Sequence, residues 1–274
     1  MTIKKNTPLV SVVMATYNEP QDIIKGSIKS IIDQTYTNFE LIIIDDSTIE
    51  KTKVAIDSFC IDERVKVIRR KDRIGFVKSL NLGLEQAKGC YIARMDGDDI
   101  SVLNRLELQV KYLEENPLVS VVGGSMFIID EKDKIIAHKK YPTSGFLLKC
   151  WSIYRNPMAH PTIMMRKKCV DDGFIYDETF SKAEDLEYWL RLRKNGFVLA
   201  NMPVDLIKYR INGDLSLKRK GDNWSYNLKA RKINFNLKHP VSSLIGIYVS
   251  YIYTKLPKWI IRATYLKENS NRGR

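Results

Sequence analysis

The chain has 274 residues, 44% of them hydrophobic and 28% charged. That composition excludes a disordered or fibrous polymer and supplies one good core, in one or two domains. The net charge of +13 is unevenly placed: residues 216–274 carry 13 Lys or Arg against two Asp or Glu, and the rest carry 32 against 30. A near-neutral body argues against a nucleic-acid-binding protein, although the tail alone has the charge for one. Cys60, Cys90, Cys150 and Cys169 show no CxxC spacing and suit a reduced, cytosolic chain better than a disulfide framework.

The apolar run at residues 9–14 contains β-branched residues and leads into Thr16 and Asn18 without a small-residue cleavage site. It reads as a buried strand, not a signal peptide. Ile23, Ile24, Ile28, Ile31 and Ile32 then recur at helical spacing behind Pro20. Residues 39–45 form a second strand, 49–60 a short helix and 65–69 a third strand. Phe76, Leu80, Leu84 and Ala87 share one helix face, with Gly89 as its C-terminal signal, and "CYIARM" is the fourth strand. The first hundred residues therefore read β-α-β-α-β-α-β, an α/β domain with a mostly parallel sheet flanked by helices. Further on, 104–117 is an amphipathic helix, 119–124 and 126–130 are two strands, 156–167 is a proline-bracketed turn and strand, and 182–196 is a helix ending at Gly196.

The tail alternates cations with aromatics, among them Trp224, Tyr226, Tyr248, Tyr251, Trp259 and Tyr265. Its apolar part, 241–261, is broken by Lys255, Pro257 and Lys258 and falls short of the ~20 apolar residues a spanning helix needs. A membrane surface, packing on the body and nucleic acid are the three partners such a segment fits.

Ligands of open parallel sheets bind outside the carboxyl ends of the strands. Three polar clusters fall there: "ATYNE" (15–19), "DDS" (45–47) and "DGDD" (96–99). Neither GxGxxG after the first strand nor GxxxxGK[ST] occurs, which argues against a dinucleotide dehydrogenase or a P-loop kinase. Taken singly, each cluster also has a bland reading. Asp96, Asp98 and Asp99 make a solvated acidic turn, Asp45-Asp46-Ser47 a helix N-cap, and Glu184-Asp185 helix N-terminal decoration.

Five blocks in order, "VSVVMATYNE", "IIIDDS", "GFVKSLNLGLEQAKGCYIARMDGDD", "NRLELQ" and "AEDLEYWLRL", resemble family 2 glycosyltransferases of the GT-A fold. The similarity spans about residues 9–215 and is strongest to bacterial enzymes that build capsule, exopolysaccharide or O-antigen repeat units. The resemblance implies a nucleotide-sugar-binding half (1–100), an acceptor-binding half (101–215) and a membrane-associating helical tail (216–274).

It also implies roles. Asp98 holds Mg²⁺ or Mn²⁺ and Asp96 the donor's ribose or sugar; Asp99 braces the loop or contacts the sugar. Ala15, Tyr17 and Glu19 line the nucleoside pocket, Asp46 accepts the base's ring N–H and Asp45 orients the loop. Asp185 is the general base of an inverting transfer, with Glu184 orienting or capping. His160 lines the acceptor side or merely bonds within its turn. Asn212 stands where the family often has a histidine, which removes an expected ligand to the metal or diphosphate. Lys218, Arg219 and Lys220 cover the diphosphate or serve structure or membrane. The implied partners are a nucleotide-diphosphate sugar, UDP-sugar favoured, a polyprenyl-diphosphate-linked saccharide acceptor and the inner face of the cytoplasmic membrane. The competing reading is a non-catalytic nucleotide-sugar-binding assembly partner.

Overall fold

The computed structural model describes residues 7–211, 223–257 and 260. At its centre β1 (Val10–Thr16) lies between β2 (Phe39–Asp45) and β4 (Tyr91–Asp96), with β3 (Val65–Arg69) outside β2, all parallel. Every residue of β1 is buried, as a central parallel strand covered on both faces requires. The register sets Thr16 beside Asp45 and Ala15 beside Asp96, so three strands stop at one edge.

Strand alternation divides the core between the two faces. Val12, Met14, Leu41 and Ile43 pack with α1 (Gln21–Ile32), α2 (Glu50–Asp57) and α4 (Arg105–Glu115). Val13, Ala15, Ile42 and Ile44 pack with α3 (Phe76–Gln86) and α7 (Glu184–Lys194). Each fully buried isoleucine contributes about 2 kcal/mol of transfer free energy.

Beyond β4 the chain runs through β5 (Ile100–Ser101), α4, β6 (Val119–Ile129), β7 (Ile135–Lys139), α5 (Gly145–Tyr154), a 3-10 turn (His160–Thr162), β8 (Met164–Arg166), α6 (Lys168–Asp171), α7, β9 (Val198–Arg210), α8 (Asn223–Ile233) and α9 (Pro240–Lys255). The same sheet continues, in the order β3-β2-β1-β4-β8-β6-β9-β5, with β7 paired to β6. β8 is antiparallel to both β4 and β6, whereas β6 and β9 are parallel.

Several local expectations change. Segments 119–124 and 126–130 form one strand. Gly124 keeps it continuous by admitting Leu206, whose side chain would lie 2.7 Å from an added Cβ. β9 carries Pro203 opposite a register shift in β6, where a missing N–H costs no ladder bond. α3 ends at Gln86, with Ala87 extended, and Gly89 does not have the left-handed φ of a C-cap. Gly89 is instead wedged against β1: an added Cβ would lie 2.6 Å from Leu9 O and Ser11 N. Both neighbours are backbone and cannot rotate away. Gly89→Ala is expected to lower stability by about 2 kcal/mol, read as a lower urea midpoint. An unchanged midpoint would mean that β1 and β4 shift to accept the methyl group.

The tail docks on the body through α8. Arg231 Nη1 donates to Ser152 O (2.7 Å), Asn234 Nδ2 donates to Glu187 Oε1 (3.2 Å), and Trp224 stacks on Tyr253 of α9 at 4.0 Å between centroids. Among the described residues no helix is long and apolar enough to cross a membrane. Asn212, Lys218, Arg219, Lys220, Trp259 and Tyr265 lie outside the described residues.

Candidate active site

The shared strand edge is organised first by the loops after β1 and β2. Asn18 adopts a left-handed φ of 61°, and its side-chain oxygen accepts the N–H groups of Thr48 (2.8 Å) and Ile49 (3.0 Å), tying the two loops together. α2 starts at Glu50 with no side-chain cap, so Asp45 and Asp46 are not spent on its N-terminus. Asp45 accepts Ser47 N (2.9 Å) and Arg69 Nε (2.7 Å). Asp46 Oδ2 accepts Gly75 N (2.7 Å), Ile74 N (3.2 Å) and the Ser79 hydroxyl (3.2 Å). One oxygen thus anchors the turn into α3, and among the described residues nothing donates to the other.

Beside Asp46, Ala15 is small and buried, whereas the Tyr17 ring is exposed and carries the Arg73 guanidinium 3.8 Å above its centroid. Glu19 serves this turn: its carboxylate takes the Thr16 hydroxyl and Tyr17 N (2.8 Å). Burial raises its pKa, and those hydrogen bonds oppose the rise.

The acidic loop follows β4. Oxygens of Asp96, Asp98 and Asp99 all lie within 4.8 Å of one another. Gly97 brings the loop against β1, where an added Cβ would meet Thr16 Oγ1 at 3.0 Å and Glu19 Cδ at 3.2 Å. Arg94, buried, grips Asp96 with both terminal nitrogens, Nη1 donating to Oδ2 at 2.6 Å and Nη2 to Oδ1. Asp99 is fully buried. Its Oδ1 accepts Arg210 N (2.8 Å) and its Oδ2 has no hydrogen-bond partner. Burial first, then Asp96 and Asp98, holds its carboxyl well above the usual range. Arg210 clamps the loop from outside, donating through Nε to Asp98 O (2.9 Å) and through Nη1 to Asp130 O (3.0 Å), and pairing with Asp133. Three hard oxygen donors, one of them a buried orphan, fit a divalent cation.

Across from this loop α7 begins after Ala183, a non-glycine in the left-handed region at φ 57°. Such residues are costly and mark a constrained place. Asp185 accepts Leu186 N through Oδ1 (2.7 Å) and the Asn156 amide through Oδ2. Glu184 is pushed up to about 7, by burial first and then by Asp185. His160 is buried, its Nε2 is hydrogen-bonded to the Tyr176 hydroxyl (2.7 Å), and its Nδ1 lies 3.9 Å from Glu184 Oε1. That separation is not an ion pair, because burial and then Arg94 hold the ring neutral. Phe76 links the two sides: Arg94 lies over its ring at 5.4 Å, and His160 meets it edge-on at 6.3 Å.

The structure therefore gathers Ala15, Tyr17, Glu19, Asp46, Asp96, Asp98 and Asp99 at one sheet edge, with His160, Glu184 and Asp185 beyond Phe76. Sequence reasoning missed Arg94, Asn156 and Arg210. For Arg94 a signal was available: it is the one charge inside the apolar "CYIARM" strand, and such a charge requires a partner.

Residues 11–174 match the family model described as glycosyl transferase family 2. An uncharacterized glycosyltransferase of Haemophilus influenzae is 34% identical over 96% of this chain and 87% of its own length. The O-antigen biosynthesis glycosyltransferase WbnJ of Escherichia coli is 34% identical over 77% of this chain and 82% of its own. A mannosyltransferase of Pyrobaculum calidifontis, solved in complex with GDP-Man and Mn²⁺, superposes with a TM-score of 0.66 over 96% of this chain and 81% of its own. Its 16% identity makes that likeness one of fold, and the fold is GT-A. The family match covers more than half of the sequence, including all three strand-end clusters, and this chain belongs to glycosyl transferase family 2.

Proposed function

We propose that the protein transfers a sugar from a nucleotide-diphosphate donor, with inversion, to a polyprenyl-diphosphate-linked saccharide in bacterial surface polysaccharide assembly. It works peripherally at the inner face of the cytoplasmic membrane. The observation that carries this reading is the convergence of Asp46, Tyr17 and the Asp96–Asp99 loop at the carboxyl ends of three parallel strands. The name of the relative WbnJ supports the O-antigen-type setting, and the Mn²⁺ and GDP-Man of the mannosyltransferase support a metal-bound diphosphate sugar.

In this reading the unused oxygen of Asp46 accepts a ring N–H from the base. Uracil, thymine and guanine offer one, and cytosine does not, so UDP-sugar is favoured over a CMP-sugar. Tyr17 and Arg73 provide the stacking wall. Asp98, with the orphan oxygen of Asp99 beside it, would hold the cation, and Asp96, steadied by Arg94, would meet the ribose or sugar. Mg²⁺ or Mn²⁺, when bound, neutralises the diphosphate and stabilises it as a leaving group. Asp185 takes the proton of the acceptor hydroxyl while that oxygen bonds to C1 and the C1–O bond to phosphate breaks, its electron pair leaving with the nucleoside diphosphate. Attack from the opposite face inverts C1, and no covalent intermediate on the protein is needed. Glu184 and neutral His160 frame the acceptor side. The 1–100 and 101–215 halves serve donor and acceptor respectively.

Thermal unfolding with UDP, GDP, dTDP or CMP, each with Mn²⁺, Mg²⁺ or chelator, tests the donor site. One diphosphate is expected to stabilise the fold only with metal, by about 2.7 kcal/mol at 100 times its dissociation constant. Asp98→Ala is expected to abolish that gain. Stabilisation by none of the nucleotides would overturn the donor assignment.

A further inference from the structure

Helix α9 is inside out. It buries Gly246 and Ser250, and an added Cβ at Gly246 would lie 2.6 Å from Ile153 O of α5. Its outer face exposes Val241 (68%), Leu244 (58%), Ile245 (47%), Tyr248 (65%), Tyr251 (50%) and Ile252 (38%). The positions 241, 244, 245, 248 and 252 fall on one helical stripe. Small residues make the close contact with the body, and the large apolar ones face outward. α5, against which α9 packs, itself exposes Phe146 (73%) and Leu147 (54%). A contiguous apolar patch of this kind marks an interaction surface.

We propose that this α5–α9 ridge seats the protein on an anionic lipid bilayer surface. Charge selects the occupant. Residues 223–257 and 145–155 contain no Asp or Glu, while Lys149 on α5 and Lys238 and Lys255 beside the two ends of α9 are exposed. A second copy docked on the ridge would set these cations against one another with no carboxylate to answer them. Anionic headgroups answer them, and juxtaposed lysines gain from the surface potential of such a membrane. Tyr248 and Tyr251 have the amphipathic rings favoured at the membrane–water boundary. α9 spans 16 residues, about 24 Å, and suits lying in the interface plane rather than crossing. α8 makes a different contact: its Ala230 and Arg231, with Asn234 just beyond it, are buried on the body.

The ridge also reaches the reaction site. Two residues after α5 ends at Tyr154, Asn156 donates to Asp185. A lipid-linked acceptor held in the bilayer would arrive on the side where the proton acceptor sits. The surface itself is argued from exposure and charge, and its use in catalysis rests on the acceptor proposed above.

The test is flotation of the full chain with phosphatidylcholine vesicles, with and without phosphatidylglycerol. The wild type is expected to float with the anionic vesicles, less so in high salt. Leu244→Ser/Ile245→Ser is expected to partition at least about tenfold more weakly. Val241→Ser/Tyr248→Ser, a second exposed pair, guards against misfolding of the first and is expected to behave alike. No flotation of the wild type, or equal flotation of both folded variants, would overturn the proposal. A concentration-dependent dimer that both variants dissolve, without vesicle binding, would assign the ridge to a second copy. Nucleotide-dependent thermal stabilisation on the same samples separates the two readings. Flotation without it leaves the ridge and sinks the donor site, and stabilisation without flotation does the reverse.

Discussion

Asp185→Asn is expected to cut turnover about a thousandfold while leaving nucleotide-diphosphate binding within about a factor of two, because general bases contribute roughly 10²–10⁴. The substitution keeps shape and the acceptor for Leu186 N but removes the basic oxygen pair. Donor binding is read from thermal stabilisation and turnover from sugar transfer, so the two effects separate. A variant that transfers at the wild-type rate would show that Asp185 is not the base. Its neighbour sets the pH response. Glu184 is raised to about 7 by burial and then by Asp185. Below that pH Glu184 is neutral; as pH rises through it, Glu184 ionises and its charge increases the proton affinity of Asp185. The rate should therefore rise with pH through about 7, and Glu184→Gln should flatten that rise. A profile identical in the two proteins would remove Glu184 from the machinery.

The first hundred residues were legible because each element there obeys one period. β1 is buried throughout and β2 everywhere but at Glu40. Both read as apolar runs interrupted within the strand only by Ser11 and Glu40, and the helices that follow them carry a single apolar stripe. The three polar clusters were legible for the same reason, since a parallel sheet puts all its strand ends on one side. The second half hides its elements. β9 mixes exposed and buried positions and carries a proline at a register shift, and α5 is apolar on its solvent side as well as its core side. Gly89 misled because a glycine after a helix signals a cap, whereas here close approach of β1 demands it. In the site, carboxylates announced themselves by number, but their cationic supports did not. Arg210 reaches the acidic loop from more than a hundred residues away, a contact that only the pairing of β9 with β5 and β6 creates. The tail was legible in composition and ambiguous in use. Its two helices divide the alternatives, with α8 packed on the body and α9 turned outward.

Arg94→Met is expected to destabilise the metal-free protein by about 3 kcal/mol, the scale for stranding one partner of a buried ion pair. Arg94 is buried and the Asp96 side chain is 20% exposed, so water screens the pair incompletely. Removing the guanidinium leaves Asp96, Asp98 and Asp99 within 4.8 Å of one another without the cation that touches Asp96. Methionine fills similar volume over Phe76, so the loss reports charge rather than a cavity. The loss should show as a lower urea midpoint. Added Mn²⁺ or Mg²⁺ should recover more stability in the variant than in the wild type, because a cation on the loop relieves the same repulsion. Arg94→Lys should fall between the two, since a point charge replaces one of two parallel hydrogen bonds. If Arg94→Met matches the wild type without metal, the loop does not depend on this pair, and the steadiness of Asp96 must come from Gly97 packed against Thr16 and Glu19. If the variant is destabilised but metal does not recover it preferentially, Arg94 is a strut of the fold alone. Only the combined result, loss without metal and preferential recovery with it, makes Arg94 the charge that keeps the loop folded until a cation arrives.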